Sequence, residues 1–293
     1  MMRKKTEGTV SRNGIKEKSM HLVFFCAASV SIIAVLLICV FLFANGLPAI
    51  GKIGAGNFLL GEEWKPGNER FGILSMMVGS LSVTLGAVLI GVPVGVLTAV
   101  FLSHFCPGKF YRFMKPAVDL LAGIPSIVYG FFGLVVLVPI LRYFFGGTGT
   151  GMVTASILLG IMILPSVIAV SESALQAVPK QYYEGSLALG ATKERSVFCV
   201  VLPAAKSGIF AGIVLGIGRA VGETMAVMMV AGNQARIPGG ILDGVRTLTT
   251  NIVLEMGYAA DLHRDALIAT AVVLFTMILF INLIFAAMKR REW

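Results

Sequence analysis

Two charges interrupt the apolar run "GIVLGIGRAVGETMAVMMVAG" over residues 212–232: Arg219 and Glu223. They stand four residues apart, so on a continuous helix they share a face. A guanidinium offers charge-assisted hydrogen bonds to an oxyanion, whereas an ionised carboxylate only accepts them. From the charges alone two readings stand. Either the pair is a salt bridge that pins neighbouring helices together, or Arg219 lines a path for an anion. Ser126, next to Pro125, is a lesser candidate to donate a hydroxyl to the same anion.

Covalent chemistry finds no support in the sequence. "GGTGTG" (146–151) superficially resembles a phosphate-cradling loop but lacks the Lys-Ser/Thr ending, and Gly216, Gly218 and Gly222 follow no strand. His21, His104 and His263 are scattered near the ends of apolar runs, and Cys26, Cys39, Cys106 and Cys199 have neither CxxC nor metal-ligand spacing. The expectation is a chain with no catalytic residues, no metal and no bound cofactor, which must draw energy from a partner. It is not an enzyme.

The elements that must hold Arg219 and Glu223 are membrane helices. Of the 293 residues 57% are hydrophobic and 13% charged, and the mean hydropathy is +0.88; a soluble domain carries about 25% charged residues. The net charge of +9 is dispersed over short connections, which argues against nucleic acid. Six runs suffice to span a bilayer, which takes about 20 apolar residues: 22–44, 74–102, 116–143, 152–170, 208–231 and 266–288. Residues 1–21 form a basic tail, and the rest a single transmembrane domain. The first run is too long for a signal-peptide core, so it reads as a membrane anchor. Pro93, Pro125, Pro139 and Pro165 permit kinks or broken ends. Gly208, Gly212, Gly216, Ala220 and Thr224 form a line of small residues suited to close contact with a partner helix.

Counting Lys and Arg sets the orientation. With the N-terminus inside, the inner segments hold 16 and the outer segments 6, so both termini are expected in the cytosol. The outer loops 45–73 and 232–265 hold seven of the 15 acidic residues. Their Arg236, Arg246 and Arg264 either attract an anion, dock a partner or are simply solvated. Arg142 reads as snorkelling at the outer face, and Asp119 as a helix start or a gate.

The loop 171–207 faces the cytosol and contains "EGSLALGATKERSVFCVVLP" (184–203). Pro179 can open a short helix and Gly190 can stop it, with Tyr183, Leu187 and Gly190 along one side. That helix either rests on lipid headgroups or meets a partner. Glu184, Gly185, Ser186, Gly190, Val200, Leu202 and Pro203 resemble the EAA motif of ABC importer permeases, with Gly-Ser in place of Ala-Ala. "GIPSIVYGFFGLVVLVP" (123–139), "GRAVGETMAV" (218–227) and "RTLTTNIVLEMG" (246–257) look like the PstC-type permease of phosphate importers, and the likeness runs from about residue 20 to the end.

The resemblance implies an all-α membrane protein of six transmembrane helices with the type I ABC importer (MetI-like) fold, in the bacterial cell membrane. It implies a second, PstA-type permease, two ATPase subunits that use the ATP, and an external phosphate-binding protein. Glu184, Gly185, Ser186, Gly190, Leu202 and Pro203 would form the coupling segment that docks on the ATPase. Arg219, Glu223 and Ser126 would face the substrate, with Arg219 on a phosphate oxygen. Glu223 would then read the proton that phosphate carries and sulfate lacks, or merely neutralise Arg219. Two alternatives remain: a permease for another oxyanion or small solute, and a proton-coupled secondary transporter.

Overall fold

The computed structural model describes residues 7–290; the first six residues of the basic tail and residues 291–293 lie outside them. The chain opens with a long helix α1 (Glu7–Ile53), a short α2 (Ala55–Leu60) and a hairpin. Strands β1 (Trp64–Lys65) and β2 (Arg70–Phe71) pair antiparallel with Trp64 opposite Phe71. Helix α3 (Leu74–Val100) runs into a π-helical turn, Phe101–Phe105, and α4 (Gly108–Gly123) follows. Next come α5 (Ser126–Phe132), a π-helical stretch, α6 (Val138–Phe145) and α7 (Met152–Gln176). The loop after α7 folds into α8 (Lys180–Ala188), α9 (Lys193–Ser196) and α10 (Leu202–Ala204). The last four are α11 (Lys206–Gly222), α12 (Met225–Val230), α13 (Leu248–Glu255) and α14 (Asp261–Arg290).

Five stretches are long and apolar enough to cross a membrane: Ser19–Ile53, Leu74–Phe105, Ser126–Phe145, Met152–Gln176 and Asp261–Ala287. Lys193–Ala204 and Lys206–Gly222, bent by 70° at the break between them, make a sixth candidate when the pair is counted as one span. The chain is a multi-pass, mostly helical membrane protein.

Two expected spans are broken. The run 116–143 does not form one helix: α4 stops at Gly123 and α5 starts at Ser126. Pro125 lacks an N–H and pushes Ile124 out of the helical region, to φ −70 and ψ 126. The run 208–231 is not one helix either. Glu223 is extended at φ −69 and ψ 134, and the helix resumes only at Met225. Pro93 and Pro165 sit inside α3 and α7 without breaking them.

Helix α7 is the axis of the molecule. In its most apolar window 61% of residues are buried, against none in that of α1, whose outer surface is left for lipid or another chain. Glycines bring α3 and α11 close to α7 from two sides. A Cβ on Gly91 of α3 would lie 2.7 Å from the Gly160 carbonyl oxygen, and one on Gly216 of α11 would lie 2.9 Å from Val167. Gly208 and Gly212 face Ala174 and Val170. The glycines of the expected small-residue line thus make the close helix contact, with the chain's own α7 as the partner helix, while Thr224 lies beyond the end of α11.

Gly91→Val is accordingly expected to destabilise the fold by about 1–3 kcal/mol, the usual cost of overpacking, because the clash is with backbone. Thermal unfolding of the purified protein in detergent checks this. Gly218→Ala, whose Cβ would meet nothing within 4 Å, serves as the control and should leave the midpoint unlowered.

Candidate functional site

The break in the run 208–231 separates Arg219 from Glu223. Arg219 lies in the last turn of α11, half-buried, and its Nη1 donates to Ser166 Oγ on α7 at 3.3 Å. Glu223 is the first residue beyond α11, and its Oε1 accepts the backbone N–H groups of Thr224 (3.1 Å) and Ala226 (3.3 Å). No ion pair joins Arg219 to Glu223 among the described residues. The shared face expected from the i,i+4 spacing does not form, because the helix ends between the two.

Each charge instead suits one end of a broken helix. The cation stands in the last turn of α11, where the helix dipole favours positive charge, and the carboxylate caps the amides that open α12. Two of the amides freed at the break thus find a partner, which lets an apolar run be interrupted here without proline. The backbone carbonyl of Glu223 is also satisfied: Thr249 Oγ1 on α13 donates to it at 3.0 Å. The separation of the charges removes the basis for a proton-coupled Arg–Glu pair.

The second break faces the first. Tyr129 on α5 donates its hydroxyl to the Leu121 carbonyl at 2.8 Å, spanning the gap at Ile124–Pro125. Gly130 lets α5 lie against α12, where an added Cβ would be 2.7 Å from Met229 Sδ and 3.0 Å from Ala226 Cα. Ser126, half-buried at the start of α5, makes no hydrogen bond to Arg219 or Glu223.

The motif in the loop 171–207 folds as helix, turn, helix. No residue of α8 is buried, and Glu184 and Gly185 are exposed. Ser186 Oγ receives a hydrogen bond from Ser196 Oγ at 2.9 Å, and Tyr183 packs its ring 5.9 Å from that of His104. Tyr183 is thus turned inward while Leu187 is exposed, so the side expected to carry both is divided. Gly190 adopts φ +86, its N–H donating to Leu187 O and that of Ala191 to Ser186 O. Leu189 beside it is 91% exposed. Leu202 is half-buried and Pro203 exposed at the start of α10, just before the bend into α11.

Two polar clusters escape sequence reading. Glu172 on α7, 3% exposed, accepts from Tyr111 (2.8 Å), Lys115 (2.9 Å) and Gln176 (3.2 Å). Lys115 also pairs with Asp119 at 3.3 Å, so Asp119 neither starts a helix nor stands alone. On the side of the hairpin, Glu255 accepts from Trp64 Nε1 (2.7 Å) and Arg246 (2.7 Å) and meets His263 Nε2 (2.8 Å). Arg246 further donates to Asn233 O and Asn251 Oδ1, which makes it a strut of the loop and not an anion collector. The partners are far apart in sequence; the only local signal was a lone carboxylate inside or beside an apolar run.

Residues 91–292 match the family described as binding-protein-dependent transport system inner membrane component. A probable ABC transporter permease protein, YqgH of Bacillus subtilis, is 37% identical over 280 residues, covering 93% of this chain and 91% of the relative. The phosphate transport system permease protein PstC of Mesorhizobium japonicum is 33% identical over 297 residues, covering 94% and 90%. Among solved structures, a bacterial alginate ABC transporter chain superposes with a TM-score of 0.68 at 15% identity, over 94% of this chain and 97% of that one. A chain of the MetNI methionine transporter superposes with a TM-score of 0.61 at 24% identity, over 78% and 99%. Both of these likenesses concern the fold.

Proposed function

The chain belongs to the family of binding-protein-dependent transport system inner membrane components, and from that premise we propose that it is the PstC-type permease subunit of an ATP-driven importer of inorganic phosphate. The observation that carries the substrate is Arg219: a cation at a broken helix inside an apolar bundle, committed to a single protein hydroxyl. Its remaining donors suit the oxygens of a tetrahedral anion. Discontinuous helices whose ends serve an ion are a recurrent device of transporters. Ser126 opens the facing segment, α5, and stands ready as a second donor. Relatives that bear the name of phosphate permeases support the same substrate.

Glu223 refines the selection. Two amides occupy Oε1, and Oε2 is left to accept from the substrate. Phosphate near neutral pH carries a proton to donate and sulfate carries none, so sulfate meets uncompensated repulsion. The assembly holds one PstA-type permease, two ATPase subunits that consume ATP, and an external phosphate-binding protein. We assign both termini and the α8–α10 loop to the cytosolic face of the bacterial cell membrane, on the Lys/Arg bias. There Glu184, Gly185, Ser186, Gly190, Leu202 and Pro203 form the docking segment for the ATPase. The exposed Leu187 and Leu189 beside them supply an apolar surface that a partner covers.

Uptake of labelled phosphate by the reconstituted complex tests the reading, with sulfate and molybdate as competitors. Phosphate should enter only with ATP and the binding protein, and excess sulfate should not compete. Glu223→Gln is expected to weaken the rejection of sulfate. An unchanged rate with unchanged rejection rules out the discriminating role of Glu223.

A further inference from the structure

We propose that Glu172, held by Lys115 and Tyr111, is the clamp that carries movement of α8 to the substrate path; this deepens the importer reading and rests on it. Glu172 lies one helical turn before the end of α7, and Val178 and Pro179 lead directly from there into α8. Its carboxylate is the only part of that turn tied by charge to α4, through Lys115 Nζ at 2.9 Å and Tyr111 Oη at 2.8 Å, among the described residues. Those two donors are themselves one turn apart on α4.

From α4 the chain of contacts continues to the path. Tyr129 bridges the break behind α4 by its bond to Leu121 O, which ties α4 to α5 across the gap. Gly130 seats α5 on α12, which begins immediately after Glu223 and Thr224. A displacement of the α7–α8 corner therefore has, beside the direct packing of α11 on α7, a route to α5 and α12 through one part-buried ionic joint. Energetic coupling between distant sites runs through such packed elements and charge networks when they have discrete arrangements.

Burial of an ion pair adds little to stability compared with apolar packing, because desolvation offsets the attraction. Valines and leucines would hold α4 to α7 as firmly. What the carboxylate adds is direction: three donors fix its orientation at one register of α4 on α7. The bond from Tyr111 to Glu172 pushes the phenol pKa up, as expected of an acceptor that carries charge. Glu172 is a positioning residue here, since it touches no substrate.

The test uses the full complex in proteoliposomes with Glu172→Gln, which keeps the side chain's size and loses its charge. Two quantities are read: phosphate moved per ATP hydrolysed, and the nucleotide-dependent accessibility of a thiol at Ile127→Cys on α5, in a background without native cysteines. Coupling between sites typically corresponds to about 5- to 150-fold, and a fall of about tenfold in phosphate per ATP is expected, with hydrolysis retained. The thiol should cease to respond to nucleotide. A merely structural clamp would lower assembly, hydrolysis and transport together and leave their ratio unchanged, and that result overturns the proposal. If Glu172→Gln fails to assemble, Tyr111→Phe replaces it, with a smaller fall expected and an unchanged ratio again decisive. A wild-type complex that moves no phosphate sinks the substrate reading alone, because the thiol response needs no substrate.

Discussion

Replacing Arg219 with alanine is expected to cut phosphate uptake about 10- to 100-fold, the range that the loss of a hydrogen bond to a charged group (about 1.5–3 kcal/mol) implies. The complex should still assemble. In the free protein the guanidinium has one side-chain partner, Ser166 at 3.3 Å, and neither α11 nor α7 depends on that bond: Gly208, Gly212 and Gly216 hold them together. The removal also relieves the cost of a cation within an apolar run, on the order of 3 kcal/mol by insertion scales. Stability should therefore stay level or rise while transport falls, the opposite of what a structural salt bridge predicts. Arg219→Lys is expected to lie between the two, because an ammonium keeps the charge and loses the planar fork. Uptake in proteoliposomes, alongside size-exclusion of the purified complex, separates the two readings. Normal uptake by an assembled Arg219→Ala complex removes Arg219 from the path.

The difference between the two helix breaks explains how far the sequence could be read. Pro125 announced the first break, since its chemistry excludes a regular helix whatever surrounds it. The second break, at Glu223, had no such marker. Gly222 is tolerated in a helix, and hydropathy stays high from Ile213 to Ala231. The deciding interaction is a side chain satisfying the amides of Thr224 and Ala226, which a periodicity argument counts as an i,i+4 pair instead. Spans were legible because crossing a membrane demands a long apolar run, and the motif around Glu184 was legible because its spacing is local. Glu172 with Lys115 and Tyr111, and Glu255 with Trp64 and Arg246, join segments between 9 and 191 positions apart. Only the packing of α4 on α7, and of the hairpin on α13, brings those groups together.

The docking segment yields the other large effect. Gly190→Val is expected to weaken co-purification of the ATPase about 5- to 30-fold while the membrane-embedded helices keep their thermal midpoint. Helix α8 ends in a Schellman motif, with the N–H of Ala191 bonded to Ser186 O and that of Gly190 to Leu187 O. The motif needs a left-handed residue at Gly190, where φ is +86. A side chain there costs roughly 1–2 kcal/mol, which is a factor of about 5–30 in an equilibrium, and branching at Cβ puts valine at the upper end. No residue of α8 is itself buried, and its ties to the bundle are few, Tyr183 beside His104 and Ser186 bonded to Ser196, so the strain is expected to re-aim α8 about those contacts and not to unfold the bundle. The surface of Glu184, Leu187 and Leu189 then leaves the position proposed for docking on the ATPase. Gly185→Ala is the matched control: it lies in the same helix, its Cβ would meet nothing within 4 Å, and its backbone is ordinary helix, so co-purification should persist. Asparagine at position 190, which visits the left-handed region more readily, should recover part of the loss. Equal loss from Gly185→Ala and Gly190→Val would mean that the contact depends on small size along α8 and not on the turn at Gly190.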